Sequence, residues 1–156
     1  MKGLALAEDY YREVGRPMIR ERFADGEDRL AVGLAGPGSE CFGFDDEISR
    51  DHDWGPAFCL WLTDDDYLRI GGRLQQAYLG LPPTFMGFGP RQASAGEEWR
   101  VGVGRTADFF RRFTGLDRPP ETLQEWLRIP EPNLATYTNG KVFCDPLGDF
   151  TRWRHI

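Results

Sequence analysis

Residues 54–62, Trp-Gly-Pro-Ala-Phe-Cys-Leu-Trp-Leu, constrain the fold of this chain more than any other stretch. The run is apolar or aromatic almost throughout. A strand with one wet face alternates polar and apolar residues, whereas a near-continuous apolar run reads as a strand buried on both faces. Helices to cover it are visible in the pattern. Leu4, Ala7, Tyr11, Val14 and Met18 recur at three- and four-residue intervals, and Tyr67, Ile70, Leu74, Ala77 and Tyr78 make a second stripe.

The remaining elements follow from punctuation. Gly15 and Pro17 are expected to break or kink the first helix, with a second piece running to about Phe23. Leu30–Leu34 reads as a short strand ending in the Gly36-Pro37-Gly38-Ser39 turn. Thr63 is placed to cap the helix that begins with Asp64-Asp65-Asp66, whose acids complement its positive end. Residues 84–98 read as a long loop, Trp99–Val103 as a strand, and Asp108–Phe113 as a helix stopped by Gly115. A helix is expected over Thr122–Leu127, Pro130 and Pro132 then punctuate, and Asn139-Gly140 reads as a tight hairpin-like reversal into the strand Lys141–Asp145. The sum is an α/β (α+β) chain, a small mixed sheet with flanking helices, in one domain over residues 1–156.

The composition narrows the function classes. A net charge of −6 argues against a domain that by itself grips nucleic acid through clustered Lys and Arg. Cys41, Cys59 and Cys144 are odd in number and far apart, which fits reduced thiols and a cytoplasmic protein better than a disulfide framework. No apolar run approaches membrane-spanning length, so no membrane partner is expected.

The chemistry concentrates between the first strand and the apolar run. Gly38-Ser39 follows the strand, and after residues 40–50 comes Asp51-His52-Asp53. In an extended strand residues i and i+2 share a face, roughly 6.5–7 Å apart, so Asp51 and Asp53 would project two carboxylates together with His52 turned away. Hard cations such as Mg²⁺ take such ligands together with substrate phosphates. Gly38 allows close backbone approach and Ser39 offers a hydroxyl to a phosphate. A pair of solvated acids and an ordinary turn are the plain alternatives.

This pattern resembles the nucleotidyltransferase superfamily: Gly, then Gly or Ser, a gap, then Asp, any residue, Asp or Glu. Gly38–Pro56, Asp108-Phe109-Phe110 with Thr114-Gly115, and Thr138–Phe143 further resemble the DUF4037 proteins, regarded as nucleotidyltransferase-like, along nearly the whole chain. The resemblance implies a nucleoside triphosphate bound with Mg²⁺ (or Mn²⁺), metal on Asp51 and Asp53, and transfer of a nucleotidyl group to a hydroxyl or amine. A small molecule or a protein is the expected acceptor, with nucleic acid the least expected. It also implies a helical region beyond this domain, absent from this sequence. Arg50 is placed either to steady the triphosphate or to pair with Asp45, Asp46 and Glu47.

A third carboxylate usually completes such a site. The strand Arg100–Gly104 carries none, which leaves Asp145 as the first substitute and Glu98 as a distant second. The rival reading is a degenerate module that binds nucleotide or a partner without turnover. A third has the chain form a homodimer over an apolar patch near Phe109, Phe113 or Trp126.

Overall fold

Strand β2, Cys59–Leu62, is buried at all four positions, and its two faces feed two separate cores. The structure is a computed structural model and describes residues 3–36, 55–89 and 100–154. Because successive side chains on a strand point to opposite sides, Phe58, Leu60 and Leu62 enter one core with Tyr10, Tyr11, Ile19, Ile70 and Leu74. Cys59 and Trp61 enter the other with Phe109, Phe110, Trp126, Phe150 and Trp153. Only the last four residues of the apolar run, Cys59–Leu62, are strand, shorter than expected, and that strand is sandwiched between helical layers.

Around it lie β1 (Ala31–Leu34), β3 (Gly102–Arg105) and β4 (Lys141–Cys144), in the order β3-β2-β1-β4. β1 runs antiparallel to both β2 and β4, while β3 runs parallel to β2, so the sheet is mixed as the pattern predicts. β3 starts later than expected, at Gly102, with Arg100 and Val101 outside it. Gly102 holds a positive φ of 84° and donates its N–H to the Phe58 carbonyl at 2.9 Å, and pairing begins only there.

The first layer begins with α1 (Gly3–Tyr10), a π-helical turn Tyr11–Gly15, and α2 (Arg16–Arg22). The helix is not broken where Gly15 and Pro17 stand. Gly15 and Arg16 stay in the right-handed region, and the Arg16 N–H donates to the Tyr11 carbonyl across the wider π-helical turn, so the helix passes into α2 at Pro17 without a break. Gly15 has a packing reason: a Cβ there would come within 2.4 Å of Phe58 Cζ. The layer closes with α3 (Asp64–Asp66), a π-helical turn Tyr67–Gly71, and α4 (Gly72–Leu79). Thr63 caps it as expected, accepting from the Asp66 N–H at 3.3 Å.

The second layer holds α5 (Thr106–Thr114), closed by Gly115 at φ 73°, α6 (Leu123–Arg128), α7 (Glu131–Thr138) and α8 (Asp149–Arg152). Helix α7 occupies a stretch read as punctuation. Pro130 stands just before it and Pro132 in its first turn, where proline is tolerated. Asn139-Gly140 is consequently a helix-to-strand turn and not a hairpin. Stacking fills the layer: Trp61 lies on Phe150 at 3.9 Å between centroids, and Phe110 on Trp153 at 5.1 Å. Phe109 and Trp126 are buried here and Phe113 packs against them, so these rings are core, while Leu123 and Leu127, on either side of Trp126 in α6, are exposed. Among the described residues no helix is long and apolar enough to cross a membrane.

One buried carboxylate ties the first layer together. Asp66, 4% exposed, accepts from Arg29 Nε at 2.8 Å, Arg69 Nη2 at 3.1 Å and Thr63 Oγ1 at 3.1 Å. Burial pushes its carboxyl up, but the hydrogen bonds from Arg69, Arg29 and Thr63 and the Arg29 charge outweigh it and hold it below the usual carboxylate value. A carboxyl depressed in the fold stabilises above its unfolded pKa, and that stability is lost as pH falls through the folded pKa. Asp66→Asn is expected to cost about 1–3 kcal/mol at neutral pH. The deficit should shrink as acid protonates the wild-type carboxyl, read by urea unfolding of both proteins from neutral pH downward.

Candidate functional site

Antiparallel pairing brings the end of β1 and the start of β2 to one edge of the sheet. Gly33 faces Cys59, and the chain leaves the described residues after Gly36 and re-enters at Gly55. The start of β3 joins them, Gly102 lying opposite Cys59, and so does the start of β4, Lys141 lying opposite Leu34. The predicted site residues Gly38, Ser39, Arg50, Asp51 and Asp53 fall outside the described residues, as do His52, Trp54, Cys41, Asp45, Asp46, Glu47 and Glu98. What the structure defines is the frame from which that segment departs.

The frame is held by a residue that sequence reasoning passed over. Asn139 Oδ1 accepts from the Gly36 N–H at 2.9 Å, and its Nδ2 donates to the Gly36 carbonyl at 2.9 Å. One amide side chain thereby satisfies both backbone groups where β1 ends, a use to which its paired donor and acceptor are suited. Gly140 is required beside it: φ is 72°, and a Cβ would fall 2.0 Å from the Leu34 carbonyl oxygen. Arg154 donates to the carbonyls of Thr138 and Asn139 and braces the turn from behind. Lys141, the first residue of β4, pairs with Glu8 at 2.7 Å, and Glu8 also receives Arg12 at 2.7 Å. The Asn-Gly pair signalled a turn; that its side chain would reach across to residue 36 is a tertiary fact.

Asp145 is not brought to this edge. With Leu34 opposite Lys141 and Val32 opposite Cys144, Asp145 stands past the other end of β4, roughly 13 Å along the strand from Lys141. Its Oδ2 accepts from Thr151 N at 2.8 Å and Thr151 Oγ1 at 2.7 Å, which caps the start of α8. It therefore stands away from the end of the sheet at which segment 37–54 departs. The residue before Pro146 is a local cap. Arg152 likewise pairs with its neighbour Asp149 at 2.8 Å. β3, Gly102–Arg105, has no acid, and among the described residues no three His, Cys, Asp or Glu side chains converge to hold a metal.

A second concave feature runs along β3. A groove of about 200 Å³ is bordered by Trp61, Tyr67, Gly102–Arg105 and the Asp108, Phe109 and Arg112 side of α5. Arg105, the last residue of β3, lays its guanidinium 4.7 Å from the centre of the Tyr67 ring.

Comparison with known proteins bears on the C-terminal part of the chain. A family model described as a domain of unknown function (DUF4037) matches residues 126–156, which contain the second half of α6, then α7, the Asn139-Gly140 turn, β4 and α8. No curated protein and no solved structure matches the chain.

Asn139→Ala removes both hydrogen bonds to Gly36. It is expected to destabilise the fold by about 1–3 kcal/mol and to speed amide hydrogen exchange at Gly36 ahead of Val32. Unchanged exchange at Gly36 would mean that the clamp does not hold the strand end.

Proposed function

We propose that this chain is a nucleotidyltransferase-like domain that binds a nucleoside triphosphate with Mg²⁺ or Mn²⁺. The observation that carries the reading is the pairing of Gly33 with Cys59. It brings the two flanks of segment 37–54 to one sheet edge, and that segment holds Gly38-Ser39 and Asp51-His52-Asp53 at the spacing such a site uses. In this reading Gly38 and Ser39 receive phosphate oxygens, Asp51 and Asp53 hold the metal, and Arg50 contributes charge to the triphosphate. The bound metal would supply charge neutralisation at the phosphates. The chain's own share is to orient the triphosphate so that a hydroxyl or amine of a small molecule or protein attacks in line and pyrophosphate leaves. The match to a family of unknown function over residues 126–156 leaves the acceptor open.

A second reading has a specific observation behind it. β3 offers no acid, and Asp145 lies at the far end of β4. A domain that binds nucleotide as a regulatory or interaction module, without transfer, follows if no other carboxylate completes the site.

Calorimetric titration of the four nucleoside triphosphates with Mg²⁺ tests the first reading. Saturable heat with at least one of them is expected, abolished in Asp51→Ala/Asp53→Ala protein of unchanged circular dichroism. No heat with any nucleotide would sink the transferase reading and leave a module that docks a partner. Binding without pyrophosphate release across hydroxyl and amine acceptors would favour the second.

A further inference from the structure

Helices α3 and α4, joined by their π-helical turn, present an apolar stripe to the outside. Leu68, Gly72, Gln76 and Leu79 follow one another at spacings of four, four and three residues, which sets them on one side of a helix, and all four are exposed. Leu68 is 76% exposed and Leu79 62%. Between the two leucines stands a glycine that the fold itself does not use. Gly72 has ordinary helical angles, φ −64° and ψ −44°, and a Cβ built on it meets nothing within 4 Å. Its neighbour Gly71 differs, since a Cβ there would press on the Tyr67 ring at 3.0 Å. Glycine weakens a helix relative to alanine, so Gly72 gives up stability for room on the outer surface, and such room lets another backbone come close.

The charge beside the stripe has one sign. A groove of about 330 Å³ between the end of α2 and α4 is lined by Arg22, Phe23, Gly72, Arg73 and Gln76, with two guanidinia and no carboxylate. Among the described residues Arg73 makes no ion pair, whereas Arg69, one turn before it, is held by Asp66 at 3.1 Å. Acids stand further off: Glu21 and Asp25 line an adjoining hollow, and Asp64 and Asp65 begin α3. They would repel an anionic lipid surface laid across the whole face. A second copy fits no better. Antiparallel pairing that sets Leu68 of one copy against Leu79 of the other brings the two Arg73 residues close together, where like charges repel.

We propose that the Leu68–Leu79 face, with the groove at Gly72 and Arg73, is a docking surface for an acidic amphipathic helix of another protein. The apolar residues of that helix meet Leu68 and Leu79, its backbone crosses at Gly72, and its carboxylates meet Arg22 and Arg73. The surface lies on the first helical layer and does not depend on nucleotide binding at the sheet edge.

The probe is a capped helical peptide with one leucine stripe flanked by glutamates, compared with its counterpart in which every glutamate is lysine. Backbone amide resonances of the full chain are followed as each peptide is added. Saturable shifts at Leu68, Gly72, Arg73 and Leu79 are expected with the glutamate peptide, and binding weaker by about tenfold or more with the lysine peptide. Gly72→Leu and Arg73→Glu are each expected to weaken the glutamate peptide by a similar factor. Gly72→Ala reports on the fold alone: its urea midpoint should rise above that of the wild type, because the added methyl meets nothing inside. No saturable shift, an equal response to both peptides, full affinity in folded Gly72→Leu protein, or a lowered midpoint in Gly72→Ala would each overturn the proposal. Shifts at the same residues with phosphatidylserine vesicles, or on raising the protein concentration, without a response to the glutamate peptide would assign the face to a lipid surface or to a second copy and overturn it as well.

Discussion

The structure depends on burying β2 from both sides at once. Leu60 and Leu62 are fully buried in one core, while Trp61, stacked on Phe150, anchors the other. Each large apolar side chain so placed is worth roughly 1.5–3 kcal/mol, but only if both helical layers are present. Losing either layer would turn half of the strand toward water. That mutual dependence makes packing residues of two glycines beside it, Gly15 and Gly33. Gly15 admits the Phe58 ring against the first helix, and Gly33 admits the β4 backbone, a Cβ there falling 2.5 Å from the Lys141 carbonyl oxygen and 3.1 Å from Trp61 Cζ3.

The segment that matches the family model has a coherent place in this scheme. Residues 126–156 supply Trp126, Ile129, Phe150 and Trp153 to the core over Trp61, and β4 to the flank of β1. They also carry Asn139 and Gly140, which fasten the end of β1 by two side-chain hydrogen bonds and one close backbone approach. The C-terminal segment is therefore both a layer of the core and the brace for the strand end that leads toward Gly38-Ser39. If a nucleotide site forms there, its rigidity is borrowed from residues more than a hundred positions away along the chain. Orientation of a triphosphate needs such rigidity, since small misplacements are costly in rate.

Much of this was legible beforehand. Period-2 and period-3.6 patterns, a Thr before three Asp, and Gly after a helical stretch are local signals, and β2, the Thr63 cap and the Gly115 stop all appear where those signals put them. The misreadings share one cause. Pro130 and Pro132 look like breakers because the rule against proline applies to a helix interior, and nothing local says that they stand at a first turn. The placement of Asp145 past the far end of β4 was equally out of reach, because sequence says which acids exist but not to which end of a sheet each is carried.

By itself the sequence determined the class of fold, because hydrophobic periodicity is a property of neighbours along the chain and decides which elements can form. It also named the Gly38-Ser39 and Asp51-His52-Asp53 pattern, since spacing is a one-dimensional quantity. Only the tertiary structure decided the order β3-β2-β1-β4, the sending of Asp145 away from the β1–β2 edge, and the joining of Asn139 to Gly36. Those depend on strand direction and register. Both are set when distant surfaces are buried together, and neither is written in any stretch short enough to be read locally.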